Sequence, residues 1–352
     1  MSRFFSSKYS NLVPYTPGEQ PKDMKYIKLN TNESPFPPSE KAIAAALEEA
    51  KKLQLYSDPD CTDLVKEFCE VFGVEKDEVL FTNGSDEILN FAFMAFCDDD
   101  TPAIFPETTY GFYPVFAELN HVPYKEIPLR EDFTINIEDY FNAGGTVFIA
   151  NPNAPTGIAL TPAEVRAIVE NNPDNIVVID EAYVDFGTES SVPLVKEYDN
   201  LVVTQTFSKS RSLAGARLGF GIAKKELIQD MNTIKYSTNP YNVNRMSMAA
   251  GLGCLKDEEY TKANCQSIIE SRAFAMEELR KLGFEMTDSK ANFIFVKHPE
   301  YSGAKLQAEL KKKGILIRHF SKPALDEYNR ITIGTKEQMQ ALIDAVAELL
   351  GR

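Results

Sequence analysis

The chain has 352 residues, 43% hydrophobic, 25% charged and 11% aromatic, the composition of an ordinary globular protein and not of a disordered or fibrous one. Its 37 Lys and Arg against 52 Asp and Glu leave a formal net charge of −15, which repels nucleic acid and anionic membranes, so a phosphate-bearing ligand needs a local cluster of Arg, Lys and backbone N–H groups. No apolar run reaches the roughly 18 residues of a membrane span and no signal core precedes the first Pro, which predicts a cytoplasmic chain; five cysteines without a CxxC and three scattered histidines (His121, His298, His319) argue against disulfides, a metal site and a Ser–His triad.

In chain order, a helix is expected over Lys41–Lys52, then short β-branched or apolar runs at Val79–Thr82, Ala103–Phe105, Val147–Ala150, Ile176–Ile179, Leu201–Thr206 and Leu218–Ala223. Helices lie between several of them; one starts at Thr161 as N-cap, with Pro162 in its first turn and Glu164 completing a capping box. Buried strands alternating with helices predict an α/β fold with a mostly parallel sheet covered on both faces. Beyond Ala223 comes an amphipathic helix, about Glu258 to Leu282, stopped by Gly283. Strands at Phe293–Lys297, Gly314–Phe320 and Arg330–Gly334 and a last helix to Leu350 follow, which reads as a smaller α+β unit completed by the helix Lys41–Lys52.

The loops after the strands carry the chemistry. Gly84-Ser85-Asp86 joins a strand to a helix and outlines an anion site, free N–H groups at the positive end of a helix dipole. Tyr110 follows the next strand, placed to stack on a flat ligand, whereas Tyr113 reads as core packing. Asp180 closes the run Val177-Val178-Ile179, where open α/β sheets bind ligands; it is either a helix N-cap or a carboxylate that needs a cationic partner, and Tyr183 lies three residues on. Lys209 ends another buried strand, where lost solvation makes an amine nucleophilic and fit to form a Schiff base. An isolated strand-end lysine is more often plain surface, but Ser208 and Arg217 beside it suit a phosphate dianion.

The ordered set Gly84-Ser85-Asp86, Tyr110, Asn153-Ala154-Pro155-Thr156-Gly157, Asp180-x-x-Tyr183, Ser208-Lys209 and Arg217 resembles the fold-type I pyridoxal-phosphate-dependent aminotransferases of class I/II, over nearly the whole chain. Further marks at Leu12–Gly18, Lys28–Pro35, Gly314–Arg318 and Arg330–Gly334 are similar to the members that act on histidinol phosphate. The resemblance implies a large domain (56–255) binding pyridoxal 5'-phosphate on a seven-stranded sheet, a small α+β domain (31–55 and 256–352) and an N-terminal arm (1–30). It implies Lys209 as the Schiff-base lysine and proton shuttle, Asp180 on the pyridine nitrogen, Tyr183 on the ring oxygen and Tyr110 stacked on the ring. Gly84, Ser85, Asp86, Ser208 and Arg217 would hold the phosphate, reached also by Tyr56 of a partner subunit in a homodimer with shared sites.

Tyr15, Asn32, Arg318 and Arg330 would line the substrate side. Two positions depart from the family pattern. An Asn usually precedes Pro-Thr-Gly and donates to the ring oxygen, but Ala154 stands there, so Asn153 or Asn151 takes over, or Tyr183 acts alone. In Asn32-Glu33-Ser34-Pro35-Phe36-Pro37-Pro38 the Gly that often precedes the second Pro is missing, which predicts a differently shaped loop on the substrate side. The implied reaction converts histidinol phosphate and 2-oxoglutarate to imidazole-acetol phosphate and glutamate, in histidine biosynthesis. Aromatic amino-acid transamination and decarboxylation of an amino-acid phosphate are the alternatives with the same cofactor. A cofactor-sensing regulator would need a DNA-binding module, for which there is no room before Asn30.

Overall fold

The computed structural model describes residues 2–10 and 12–352. Strand β1 (Ile27–Lys28) and helices α1 (Glu40–Ala50) and α2 (Thr62–Phe72) lead into a sheet built from β2 (Val79–Thr82), β3 (Ala103–Pro106), β4 (Tyr124–Ile127), β5 (Thr146–Ala150), β6 (Val177–Asp180), β7 (Leu201–Thr206) and β8 (Gly219–Ile222). Helices α3 (Ser85–Phe96), α4 (Tyr113–Asn120) and α5 (Pro162–Glu170) lie between its strands. The strand order is β2-β8-β7-β6-β5-β3-β4, parallel throughout except that β8 runs against both neighbours.

The central strands β5, β6 and β7 are buried at every position and mostly apolar because both faces are covered. Side chains alternate across the pleat: Val147 and Ile149 join a core with α2 and α5, while Phe148 between them packs among residues of α3 and α4. The capping box at Thr161 is formed: its hydroxyl accepts from Glu164 N–H, and the Glu164 carboxylate accepts from Thr161 N–H. β4 escaped the sequence reading because Tyr124, Lys125 and Glu126 are exposed on an edge strand, which needs no apolar run.

The chain continues through α6 (Lys225–Thr238), α7 (Arg245–Leu255) and the long α8 (Glu258–Lys281). The smaller unit then contains β9 (Glu285–Met286), β10 (Phe293–Lys297), α9 (Gly303–Lys312), β11 (Ile315–Leu316), β12 (Arg318–His319), β13 (Asn329–Thr332) and α10 (Lys336–Leu349). Its antiparallel sheet has the order β12-β13-β10-β9. The single strand expected over Gly314–Phe320 is two: β11 pairs in parallel with β1, and β12 leaves it to pair with β13. The helix expected to complete this unit, α1, packs instead along α7, where Gly253 leaves room; a Cβ there would lie 2.6 Å from Ala42 Cα. Among the described residues no helix is long and apolar enough to cross a membrane.

Candidate active site

Because β2, β3, β5, β6 and β7 run the same way, their carboxyl ends meet at one edge of the sheet, the edge where open α/β sheets bind ligands. There a cleft of about 830 Å³ opens between the seven-stranded and the four-stranded sheet. It is lined by Ser85 and Asp86 after β2, Tyr110 after β3, Ala154 after β5, Asp180 at the end of β6 and Tyr183 after it, and Ser208 and Lys209 after β7. Arg217 enters ahead of β8, Tyr15 and Asn32 come from the N-terminal segment, and Arg318 and Arg330 from β12 and β13.

The anion end is built on backbone. Gly84 takes a φ of 88°, and a Cβ on it would come within 2.6 Å of Arg217 Nη2, so glycine is what lets the guanidinium lie over the start of α3. Arg217 Nη2 donates to Asp86 Oδ2 at 3.0 Å. The other oxygen, Oδ1, accepts from the Tyr110 hydroxyl at 2.7 Å. Asp86 therefore orients both the Arg217 guanidinium and the Tyr110 ring, a side-chain role hidden in the sequence behind ordinary helix capping. Burial, then the Asp86 charge, raises Tyr110 well above the usual phenol range and keeps it a neutral donor.

Asp180 is 5% exposed, and burial pushes its carboxyl up to about 7, with the nearby Asp86 charge acting in the same direction. Its oxygens accept from Ala182 N–H at 3.2 Å and from the Tyr113 hydroxyl at 3.3 Å, and among the described residues no salt bridge reaches it. A buried acid held only by neutral donors fits a protonated ring nitrogen as its missing cation. Tyr113, read from the sequence as core, is both: fully buried, and a ligand of this carboxylate. The three-residue spacing from Tyr110 was the available signal.

On the opposite wall Arg318 and Arg330 stand directly across from each other on β12 and β13. Facing like charges repel, and no carboxylate bridges either one among the described residues. Arg318 donates to the carbonyls of Thr16 and Pro17 at 3.1 and 3.2 Å, which fixes the N-terminal segment over the cleft. Arg330 lies over the rings of Phe293 and Phe320, and its buried Nε has no partner. Burial lowers its pKa. Lys322, which sequence reasoning passed over, also lines the cleft and donates to the Glu107 carbonyl at 2.7 Å.

Asn153 and Tyr56 do not line this chain's cleft, which for Tyr56, expected there from a partner subunit, is no departure. Asn153 is turned toward the loop after β3, donating to the Thr108 carbonyl at 3.0 Å and to Thr156 Oγ1 at 3.2 Å, and accepting from the Thr109 hydroxyl at 2.8 Å. Asn151 is likewise tied to the Leu160 backbone, so neither amide replaces the one missing at Ala154. Tyr56 is 80% exposed and stacked on Tyr241, away from the cleft of its own chain.

The family described as Aminotransferase class I and II matches residues 24–346. The chain is 48% identical to the histidinol-phosphate aminotransferase of Brachyspira hyodysenteriae, with 99% of each chain covered. Among solved structures it is similar to the histidinol-phosphate aminotransferase from Clostridium acetobutylicum, at a TM-score of 0.85 and 25% identity over 92% of this chain and 99% of that one. The enzyme of that name from Sinorhizobium meliloti, solved in complex with pyridoxal-5'-phosphate, shares the fold at a TM-score of 0.84 and 22% identity, over 93% and 92% of the two chains.

Proposed function

This chain belongs to the class I and II aminotransferase family, and from that premise we propose that it transfers the amino group of histidinol phosphate to 2-oxoglutarate, giving imidazole-acetol phosphate and glutamate, with pyridoxal phosphate as cofactor. The observation that carries the substrate reading is the cross-strand pair Arg318 and Arg330, two facing cations with an unpartnered buried Nε between rings. Two positive charges match a phosphate dianion and, in the second half-reaction, a dicarboxylate.

The residues present fit the cofactor. Ser85, Asp86 N–H, Ser208 and Arg217 would hold its phosphate, Tyr110 its ring face, Asp180 its ring nitrogen and Tyr183 its ring oxygen. When bound, the cofactor supplies an electron sink for the carbon that carries the amino group. The Asp180 carboxylate holds a proton at the ring nitrogen, which maintains that sink. Lys209 Nζ is the base that takes the proton from the amine-bearing carbon and, once protonated, the acid that returns one. The N-terminal segment held by Arg318 covers the cleft and limits water. A homodimer is part of the same reading: exposed Leu53, Leu55 and Tyr56 offer a second copy an apolar surface.

The test is glutamate formation from 2-oxoglutarate with histidinol phosphate or phenylalanine as donor. Histidinol phosphate should be much preferred. Arg318→Leu should lower kcat/KM for it by roughly 10- to 150-fold, the loss of one charge-assisted contact of ~1.5–3 kcal/mol, with a far smaller effect on phenylalanine. A wild-type preference for phenylalanine would refute the substrate reading and leave the aminotransferase.

A further inference from the structure

Asn32 is 1% exposed and holds a φ of 54°, the left-handed region that asparagine tolerates best among residues with a side chain. Its N–H donates to Thr332 Oγ1 at 2.9 Å and its carbonyl accepts from Asn292 Nδ2 at 3.0 Å. The side chain is fixed at both ends: Oδ1 accepts from the Thr332 hydroxyl at 3.1 Å, and Nδ2 donates to the Tyr183 phenol oxygen at 3.0 Å. The placement of the amide sets these directions: Oδ1, which can only accept, lies against Thr332 Oγ1 and takes its proton, and Nδ2, which can only donate, faces Tyr183.

The Tyr183 oxygen is therefore an acceptor toward Asn32, and its own proton has no acceptor among the described residues. That proton is left for the cleft, where Lys209 Nζ lies 5.7 Å from the Tyr183 ring centroid. The neighbouring wall at residue 154 offers only a methyl group.

We propose that Asn32 is a positioning residue which, through Tyr183, points a phenol proton at the ring oxygen of the cofactor and so keeps that oxygen ionised. The proposal rests on reading the cleft as a pyridoxal-phosphate site. Donation to the charged form of an acid lowers the pH at which it titrates, so the relay sets the protonation of the bound cofactor. Thr332, which locks the amide, sits two residues from Arg330 on β13 and so on the same face of the strand. One strand thus registers both the substrate's anion and the orientation of the proton donor.

The experiment is a pH titration of the cofactor's absorption in the full-length holoenzyme, for wild type, Asn32→Ala, Tyr183→Phe and the double variant. Asn32→Ala should move the midpoint up by about one pH unit, a tenfold change in the proton equilibrium. In the Tyr183→Phe background the same change should add nothing. Ala154→Asn, which puts a second amide beside the ring oxygen, should bring the Asn32→Ala midpoint back toward wild type. Asn32→Gly keeps the left-handed backbone and repeats the titration if Asn32→Ala loses the cofactor. An unmoved midpoint in either variant, or an equal shift with and without the Tyr183 hydroxyl, overturns the relay. A wild-type protein whose spectrum is unchanged by Lys209→Ala overturns instead the cofactor reading on which it rests.

Discussion

At Asp180 the residue's environment sets stability against activity. In the chain alone its carboxyl is raised by burial from 3.8 to about 7. Between those two values the folded state holds a proton that the unfolded chain has released, so stability falls as pH rises through that window and the loss is complete above it. Asp180→Asn removes the titration while keeping the shape. The cofactor-free variant should melt higher than cofactor-free wild type at pH 8, by an amount on the order of a few kcal/mol at most, and the gain should shrink toward pH 4. Calorimetry at the two pH values checks this; a gain of equal size at both would mean that the carboxylate is not the cause. In the holoenzyme the same change should cut kcat by roughly 10²–10⁴, the equivalent of ~3–5 kcal/mol, because a neutral amide cannot hold the ring nitrogen protonated.

Lys209→Ala removes an amine from a partly buried strand end and little core volume, so the fold should persist while the spectrum of lysine-bound cofactor and all turnover disappear. Residues of this kind were legible in the sequence because their chemistry is local: a lysine, an acid or an arginine next to a strand end announces itself. Tyr113 and Asp86 were not read in their structural roles, because each acts on a partner distant in the chain, 67 and 131 residues away in the bonds to Asp180 and Arg217. Asn153 shows the converse. Its place in the motif pointed to the cleft, but Thr156 in its own loop and Thr108 and Thr109 from the loop after β3 satisfy its amide.

At the scale of elements, the turn from β2 into α3 combines two constraints that a single substitution can separate. Gly84 needs a positive φ and an absent Cβ, since Arg217 occupies the space, whereas Gly73 at the end of α2 needs only its φ of 64° and has nothing within 4 Å. Alanine should cost about 1 kcal/mol in backbone strain at Gly73, and up to about 3 kcal/mol at Gly84, whose ψ of 160° puts it in a region essentially confined to glycine. Only Gly84→Ala should also displace the guanidinium, raising the dissociation constant for the cofactor by about tenfold or more, as for a lost charge-assisted bond. Equilibrium dialysis of the two variants against pyridoxal phosphate distinguishes them, and equal affinities would remove Arg217 from the phosphate site. The elements around this turn were readable from their apolar runs and caps. The break between β11 and β12 was not, because Ile315–Leu316 and Arg318–His319 form one continuous β-prone run and only their different partners, β1 and β13, divide it. α1 shows the same limit: its amphipathic pattern marks a buried face but not which unit buries it.

For the whole molecule, charge and apolar surface point to how copies associate. Two chains of −15 each repel at a distance, so an uncharged apolar surface is favoured as the contact of a stable pair. Leu53, Leu55 and Tyr56 supply such surface, each more than half exposed, with Tyr56 stacked on Tyr241 at 4.7 Å and its carbonyl held by Arg245. If Tyr56 completes the phosphate site of the partner, each cleft in a two-fold dimer draws Lys209 from one chain and Tyr56 from the other. Chains carrying Lys209→Ala and chains carrying Tyr56→Ala should then be nearly inactive alone and active when mixed under conditions that exchange subunits. Half of the randomly paired dimers are mixed, and each of those has one cleft with both residues intact and one with neither. Equal mixing should therefore restore about one quarter of the wild-type activity per chain. Mass spectrometry of tagged chains verifies the exchange. Mixed dimers without recovered activity, or a Tyr56→Ala protein fully active by itself, would show that each cleft is completed within a single chain.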